Sequence, residues 1–234
     1  MSEPSLPEVV VVVVPARNEV DYLPQCLAAI EVAAHSLAAA YPTVDLTVTV
    51  VLDGCTDSSA AVVEDTTFAR SLVTDFASVG LARRAGIAQA LSQVVQPAGA
   101  IWVANTDADT VVPAHWLVEQ CGLAARGVQL VLGTVVPDPA GLADERARAW
   151  HAAHPLNDGH PYVHGANLGF RADSYLSVGG FAALDVHEDT DLVERLKAHG
   201  ASWAAVDTMR ATTSARMLGR TPGGFAGYLR GLPL

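Results

Sequence analysis

Asp107 and Asp109 sit one residue apart in VANTDADTVVP (103–113), where an apolar run gives out. A pair of this kind at a strand end suits a hard divalent cation, Mg2+ or Mn2+. A turn can bring both carboxylates to one ion, and the ion then grips a diphosphate. An ordinary role competes with it: Asp107 as a helix or turn cap, with Asp109 facing solvent. Two further polar groups punctuate the chain in the same manner, PARNE (Pro15 to Glu19) and DGCTD (Asp53 to Asp57). Asp57 reads as a cap for the turn that follows it, since DGCTDSS leads into a helix.

The elements that must carry these groups alternate. VVVVVV (9–14) is a strand ended by Pro15, and the following segment repeats Leu23, Leu27, Ile30, Ala34 and Leu37 at helical spacing. LTVTVVLD is a second strand, a short helix starts near Ser58, and SLVTD is a third strand. LARRAGIAQALSQVV carries Ile87, Leu91 and Val94 on one helical face, and AIWVANTD is a fourth strand. This β-α-β-α order predicts a mostly parallel sheet covered by helices on both sides, with ligands at the carboxyl ends of the strands. All three polar groups fall on that edge. After VQLVLGTVVP the alternation stops. His151, His154, His160 and His164 cluster in a stretch that reads as a short helix and a long loop. Their spacing matches no zinc motif. Trp150 and Tyr162 there would stack on a ring-shaped ligand or pack into the core.

The chain has 234 residues and a formal net charge of -11, enough for one domain or a tightly joined pair with a large core and the wrong sign for nucleic acid. Three cysteines, Cys26, Cys55 and Cys121, show no CxxC spacing, which fits a reducing compartment. The six-valine run is too short to span a bilayer and lacks a basic start. The expectation is a cytoplasmic protein, or one peripheral to a membrane, without a transmembrane segment.

In this order PARNEVDYLPQCLAAI, VVLDGCTDSS, GLARRAGIAQAL, NTDADT, GANLGFRADSYLSVGGF and HEDTDLVERLKAHG resemble the family 2 glycosyltransferases of the GT-A fold, over roughly residues 9–200. The resemblance implies a Rossmann-like α/β domain over 1–234, with a nucleotide-binding half of about 1–110 and a smaller acceptor-binding half of about 111–207. It implies a nucleotide pocket lined by Pro15, Ala16, Arg17 and Glu19, with Asp53 at the base or ribose and Arg83 near the nucleotide or diphosphate. Asp107 would reach the ribose or the metal's shell, and Asp109 would bind the metal. Gly165, Ala166 and Asn167 would belong to the acceptor and donor-sugar loop. Of the doublet Glu188-Asp189, Asp189 would be the catalytic base of an inverting transfer, although Glu188 is an equal candidate by sequence. The physical chemistry agrees: negative charge builds on a departing diphosphate, and a positioned carboxylate takes the acceptor's proton. Asp189 precedes a helix with Leu192, Val193 and Leu196 inward and Gly200 at its end, so it also suits an N-cap.

The implied reaction moves a sugar from a UDP-, GDP- or dTDP-sugar to an unknown acceptor hydroxyl. Three departures qualify the match. Leu52 replaces one of two acids common before the glycine of the second motif. Ala82-Arg83-Arg84 replaces Ala-Arg-Asn, and no histidine follows His199 to complete a metal site. From Thr208 onward the chain carries Arg210, Arg216, Arg220 and Arg230 without an acid. That stretch, 208–234, reads either as a lid with Arg216 and Arg220 as diphosphate clamps or as a solvated tail. The rival functions are a nucleotidyltransferase, which would open with a glycine-rich loop and a lysine, and a sugar-nucleotide-binding protein without turnover.

Overall fold

Six consecutive valines form the centre of the sheet. In the computed structural model, which describes residues 5–184, 186–219 and 224–232, Val9–Ala16 form β1, paired in parallel with β2 (Asp45–Asp53) on one side and β4 (Ile101–Asn105) on the other. Strands pair with both edges of β1, and helices cover both of its faces. Val10, Val12 and Val14 enter one core with α1 (Leu23–Ala40) and α4 (Trp116–Ala125). Val9, Val11 and Val13 enter a second core with α3 (Val79–Ser92) and α7 (Glu188–Ala198). That double burial is why the strand is continuous valine rather than alternating.

Eight strands make the sheet, in the order β3-β2-β1-β4-β7-β6-β8-β5. β3 (Ala69–Thr74) is parallel to β2, and β8 (Trp203–Thr213) is parallel to β6 (Leu130–Pro137). β7 (Leu168–Arg171) runs antiparallel between β4 and β6, and the two-residue β5 (Thr110–Val111) is antiparallel to β8. The mostly parallel α/β sheet is the one the sequence predicts. In α1 the inward stripe uses Ala33, whereas Ala34 is half-buried. Among the described residues α1 is the one helix long and apolar enough, by length and composition, to cross a membrane. Six of its residues pack into the core.

β8 corrects one expectation. Thr208–Thr213, assigned to a lid or tail, are the end of this strand, with Met209, Ala211 and Thr213 turned inward. Arg210 points out of it and pairs with Asp207. The described residues 224–232 are no solvated tail either: α8 (Phe225–Gly231) docks Leu229 against Leu142, Trp150 and Ala215, and Arg146 donates to the Leu229 carbonyl at 2.7 Å. Trp150 is therefore core, in α5 (Asp144–Ala153).

Two features aim side chains at the strand ends. Gly86 lets α3 lie against the sheet, since a Cβ there would stand 2.6 Å from Val51 and 2.7 Å from Val13. One turn earlier on that helix is Arg83. α7 is anchored by Leu192, Val193 and Leu196, all nearly fully buried, worth roughly 5–9 kcal/mol of gross hydrophobic stabilisation. Gly200, at φ +87°, ends it in the left-handed conformation that glycine tolerates.

Candidate active site

The carboxyl ends of β1, β2, β4 and β8 open onto one cavity of about 390 Å³, within the range of small-molecule sites. Its first wall is the loop after β1. Asn18 adopts φ 55°, and its Oδ1 accepts from the amides of Thr56, at 2.7 Å, and Asp57, at 3.3 Å. Ser59 Oγ accepts the Glu19 amide at 2.9 Å, and Asp57 accepts those of Val20 and Ser59. These bonds staple the loop after β1 to the loop after β2, and Asp57 is the cap expected of it. Pro15, Ala16, Arg17 and Glu19 thereby line the cavity.

Asp53 lines it too, while holding the turn that starts α3. It accepts from Thr74 Oγ1 at 2.9 Å, the Phe76 amide at 2.6 Å and the Ser78 amide at 3.1 Å. A buried carboxylate with three donors is a strong fastener. It fixes the direction in which α3 leaves the sheet edge.

Arg83 is 2% exposed, and its two Nη groups bridge Asp107, at 2.5 Å, and Glu188. Arg84 is exposed and turns instead toward the Phe181 carbonyl. Asp107 and Asp109 lie in the turn between β4 and β5, and neither caps a helix. Burial pushes the Asp107 carboxyl up to about 6, against the pull of Arg83, with Asp109 adding repulsion. Asp109 does not face solvent. Its side chain is 11% exposed and accepts from Ser214 Oγ at 2.7 Å and Arg216 Nη2 at 2.9 Å. Arg216 Nη1 also reaches both oxygens of Glu19, at 2.9 and 2.8 Å. Arg220, the other expected clamp, lies outside the described residues.

The far wall carries the acidic doublet. His187, in the left-handed region at φ 62°, starts α7, which makes Glu188 and Asp189 its first two residues and Asp189 no N-cap. Asp189 accepts the Gly165 amide on Oδ2 and the Thr190 amide on Oδ1, each at 2.8 Å. Gly165 and Ala166 line the cavity, but Asn167 does not. Its Oδ1 accepts from Trp116 Nε1 and its Nδ2 donates to the carbonyls of Thr134 and Met209, all at 2.9 Å. Asn167 is a core fastener, correcting its assignment to the donor loop. Every polar atom of its amide is used away from the cavity.

His164, beside Asp189, lines the cavity and is held neutral: burial lowers it to about 4 despite the attraction of Asp189. The neighbouring histidines stack instead of gathering around an ion, His154 on Trp150 and His160 on Tyr162. Sequence reasoning missed Ser78, Thr213, Ser214 and Phe225 as lining residues. The alternation Met209, Ala211, Thr213 would have exposed the strand that delivers Thr213 and Ser214.

Among the described residues no three acids, histidines or cysteines gather closely enough to hold a metal unaided. The cavity wall nevertheless carries six carboxylates against three arginines. With Asp107 raised by crowding and burial, this donor set suits Mn2+ or Mg2+ held by Asp109 and Asp107 together with a ligand's phosphates.

The profile of Glycosyl transferase family 2 matches residues 11–176. No curated protein matches the sequence. Among solved structures, the mannosyltransferase PcManGT from Pyrobaculum calidifontis, in complex with GDP-Man and Mn2+, aligns at a TM-score of 0.65 and 20% identity, over 92% of this chain and 59% of its own. S. aureus TarS 1-349 aligns at 0.62 and 13% identity, over 89% and 61%. GalNAc-T7 with UDP, GalNAc and Mn2+ aligns at 0.62 and 12% identity, over 92% and 46%. The chain thus spans about half to six-tenths of these proteins. At such identities the likeness establishes the fold, which is GT-A.

Proposed function

The chain belongs to glycosyl transferase family 2, and on that premise we propose that its cavity binds a nucleotide-diphosphate sugar and passes the sugar to an acceptor hydroxyl, with inversion. One observation carries the reading: the Asp107-Asp109 pair and Asp189, from distant segments, present carboxylates to a single cavity.

Asp189 serves as general base. Thr190 donates to Oδ1 through its amide, at 2.8 Å, and its hydroxyl, at 3.5 Å, and the Gly165 amide donates to Oδ2, which orients the carboxylate and leaves Oδ2 the lone pair that takes a proton. The acceptor oxygen attacks the anomeric carbon while Asp189 takes its proton, and the bond to the diphosphate breaks with its electron pair on the departing phosphate oxygen. His164, neutral at the cavity wall, adds no competing positive charge beside Asp189. Arg216 is placed to turn from Glu19 and Asp109 toward the leaving diphosphate, and Arg17 is exposed at the same wall. A bound Mn2+ or Mg2+, held by Asp109 and Asp107, supplies electrostatic stabilisation of the leaving group. The solved relatives with GDP-Man and Mn2+, and with UDP, GalNAc and Mn2+, support a nucleotide-sugar donor and a divalent ion. UDP-, GDP- and dTDP-sugars are the candidate donors.

The test is a thermal-shift screen of these nucleotides and their sugars with Mn2+, followed by donor turnover in the wild type and Asp189→Asn. A ligand at a hundred times its dissociation constant stabilises by about 2.7 kcal/mol, a shift of several degrees. Asp189→Asn is expected to bind nucleotide normally and to lose transfer. Near-wild-type transfer in that variant removes Asp189 as base, and binding without any turnover in the wild type favours a sugar-nucleotide-binding protein.

A further inference from the structure

Arg83 is a buried cation whose two partners come from 24 and 105 residues away along the chain, Asp107 and Glu188. Its surroundings are shaped to the guanidinium. The Phe181 ring centroid lies 5.8 Å from Cζ, and a Cβ on Gly165 would come within 2.5 to 2.7 Å of Nη2, Nη1 and Cζ. A Cβ on Gly80 would stand 3.1 Å from Cβ and Cγ of Glu188, so α3 and the start of α7 pack closely there. Both Nη groups are committed to carboxylates, and the side chain is 2% exposed. Arg83 thus borders the cavity where its motif implies a diphosphate, while both of its Nη groups already pair with carboxylates of the protein.

A buried ion pair adds little net stability over an apolar pair of the same shape, because desolvation offsets the attraction. What it does enforce is geometry. The three apolar residues of α7 fix the helix against the sheet, but its first turn follows a left-handed residue, His187, and needs its own restraint. Glu188 is 7% exposed and clamped by Arg83, and Asp189 is the next residue, turned to the cavity and the Gly165 amide. Gly165 also packs directly over the Arg83 guanidinium. The donor to Asp189 and the residue before it are thus held by one cation.

We infer that Glu188, through its pair with Arg83, is a positioning residue that sets the Asp189 carboxylate in the cavity and takes no proton itself. The inference rests on the reading of Asp189 as base. It separates two neighbours that the sequence leaves equivalent.

The experiment compares Glu188→Gln, which keeps an oxygen for Arg83, with Glu188→Leu, which does not, beside Asp189→Asn. Three readouts are taken: kcat and KM for the sugar nucleotide identified in the screen, the Kd of its nucleoside diphosphate with Mn2+, and backbone amide exchange at Gly165. Glu188→Gln is expected to keep kcat within about threefold. Glu188→Leu is expected to lose about ten- to a hundredfold in kcat, the scale of a small misplacement of a reacting group. The nucleotide Kd should stay within about threefold in both variants, because the loss is confined to the transition state. The Gly165 amide should exchange faster in Glu188→Leu alone.

Turnover in Glu188→Gln as low as in Asp189→Asn would make Glu188 a proton acceptor and overturn the inference. So would wild-type kcat in Glu188→Leu. Should that variant not fold, the smaller Glu188→Ala takes its place and leaves Arg83 its pair with Asp107. It is expected to fold and to show the same kcat loss, and wild-type kcat in it would also overturn the inference. If the wild type neither binds nor turns over any sugar nucleotide, the proposed function fails. The exchange difference at Gly165 between Gln and Leu still decides the strut on its own.

Discussion

Arg216 occupies the place that a divalent cation would contest. Its guanidinium joins Glu19 and Asp109, whose side chains are 7% and 11% exposed, while the arginine itself is 24% exposed and lies 5.6 Å from the Tyr22 ring centroid. Burial favours loss of its proton, but Glu19 and Asp109 outweigh that and hold it charged. Breaking a fully buried pair costs about 3–5 kcal/mol and an exposed one about 0–1. With a quarter of the arginine in solvent, Arg216→Ala is expected to cost about 2 kcal/mol in the metal-free protein, a fall in Tm of roughly 4–8 °C. Metal binding should move the other way. In the wild type Mn2+ must displace the guanidinium from Asp109, and in the variant it need not. Sparing roughly 1–2 kcal/mol of displacement tightens Mn2+ binding by about 5- to 30-fold. Electron paramagnetic resonance titration of free Mn2+, without nucleotide, measures this directly. Nucleoside diphosphate with Mn2+ should in contrast bind more weakly, because the arginine that turns to the phosphates is gone. Unchanged or weaker Mn2+ binding in a folded Arg216→Ala protein refutes the competition and leaves Arg216 a packing residue.

Asp107 gives a pH test whose sign is opposite to that of most salt-bridged acids. Its folded pKa, about 6, lies above the ordinary value of 3.8, so the folded protein binds the proton more tightly than the unfolded chain does. This group's contribution to metal-free stability therefore falls as pH rises from about 4 to 6, and the stability of Asp107→Asn relative to wild type should improve over that window. Thermal melts at several pH values check it, and a change in favour of the wild type would show that Arg83, not burial, dominates. Asn167→Leu should leave Trp116 Nε1 and the carbonyls of Thr134 and Met209 without partners, costing about 3–5 kcal/mol by chemical denaturation. Nucleotide affinity measured well below its melting temperature should stay within about twofold, and a selective loss of affinity would return Asn167 to the donor site.

The legible part of this protein is the part written in short periods. β1 to β4 and the helices between them announce themselves through six valines, a Leu23-Leu27-Ile30 stripe and the Pro15, Asp53 and Asp107 breaks at strand ends. β7 and β8 were not readable as strands. LGFR is only four residues long, and β8 mixes exposed Arg210 and half-buried Asp207 into its run. Missing β8 meant that Ser214 and Arg216 were detached from Asp109, 105 and 107 positions earlier. Asn167 misled for the opposite reason: its motif suits a pocket, and only the tertiary structure turns its amide to Trp116.

Charge around the cavity ties these particulars to mechanism. Six carboxylates face three arginines, and two of the arginines are already spent, Arg83 on Asp107 and Glu188, Arg216 on Glu19 and Asp109. A diphosphate entering alone would meet a wall of its own sign, in surroundings where like charges repel more strongly than in water. Accompanied by a divalent cation it brings the missing charge with it. On the proposed reading the cation would be held by Asp109, leaving Arg216 available to the phosphates, while Arg83, buried between Asp107 and Glu188, would keep the first turn of α7 in place. On this argument the two arginines divide the work by exposure. The quarter-exposed one would answer the ligand, and the buried one would hold the proposed base to its geometry before any ligand arrives.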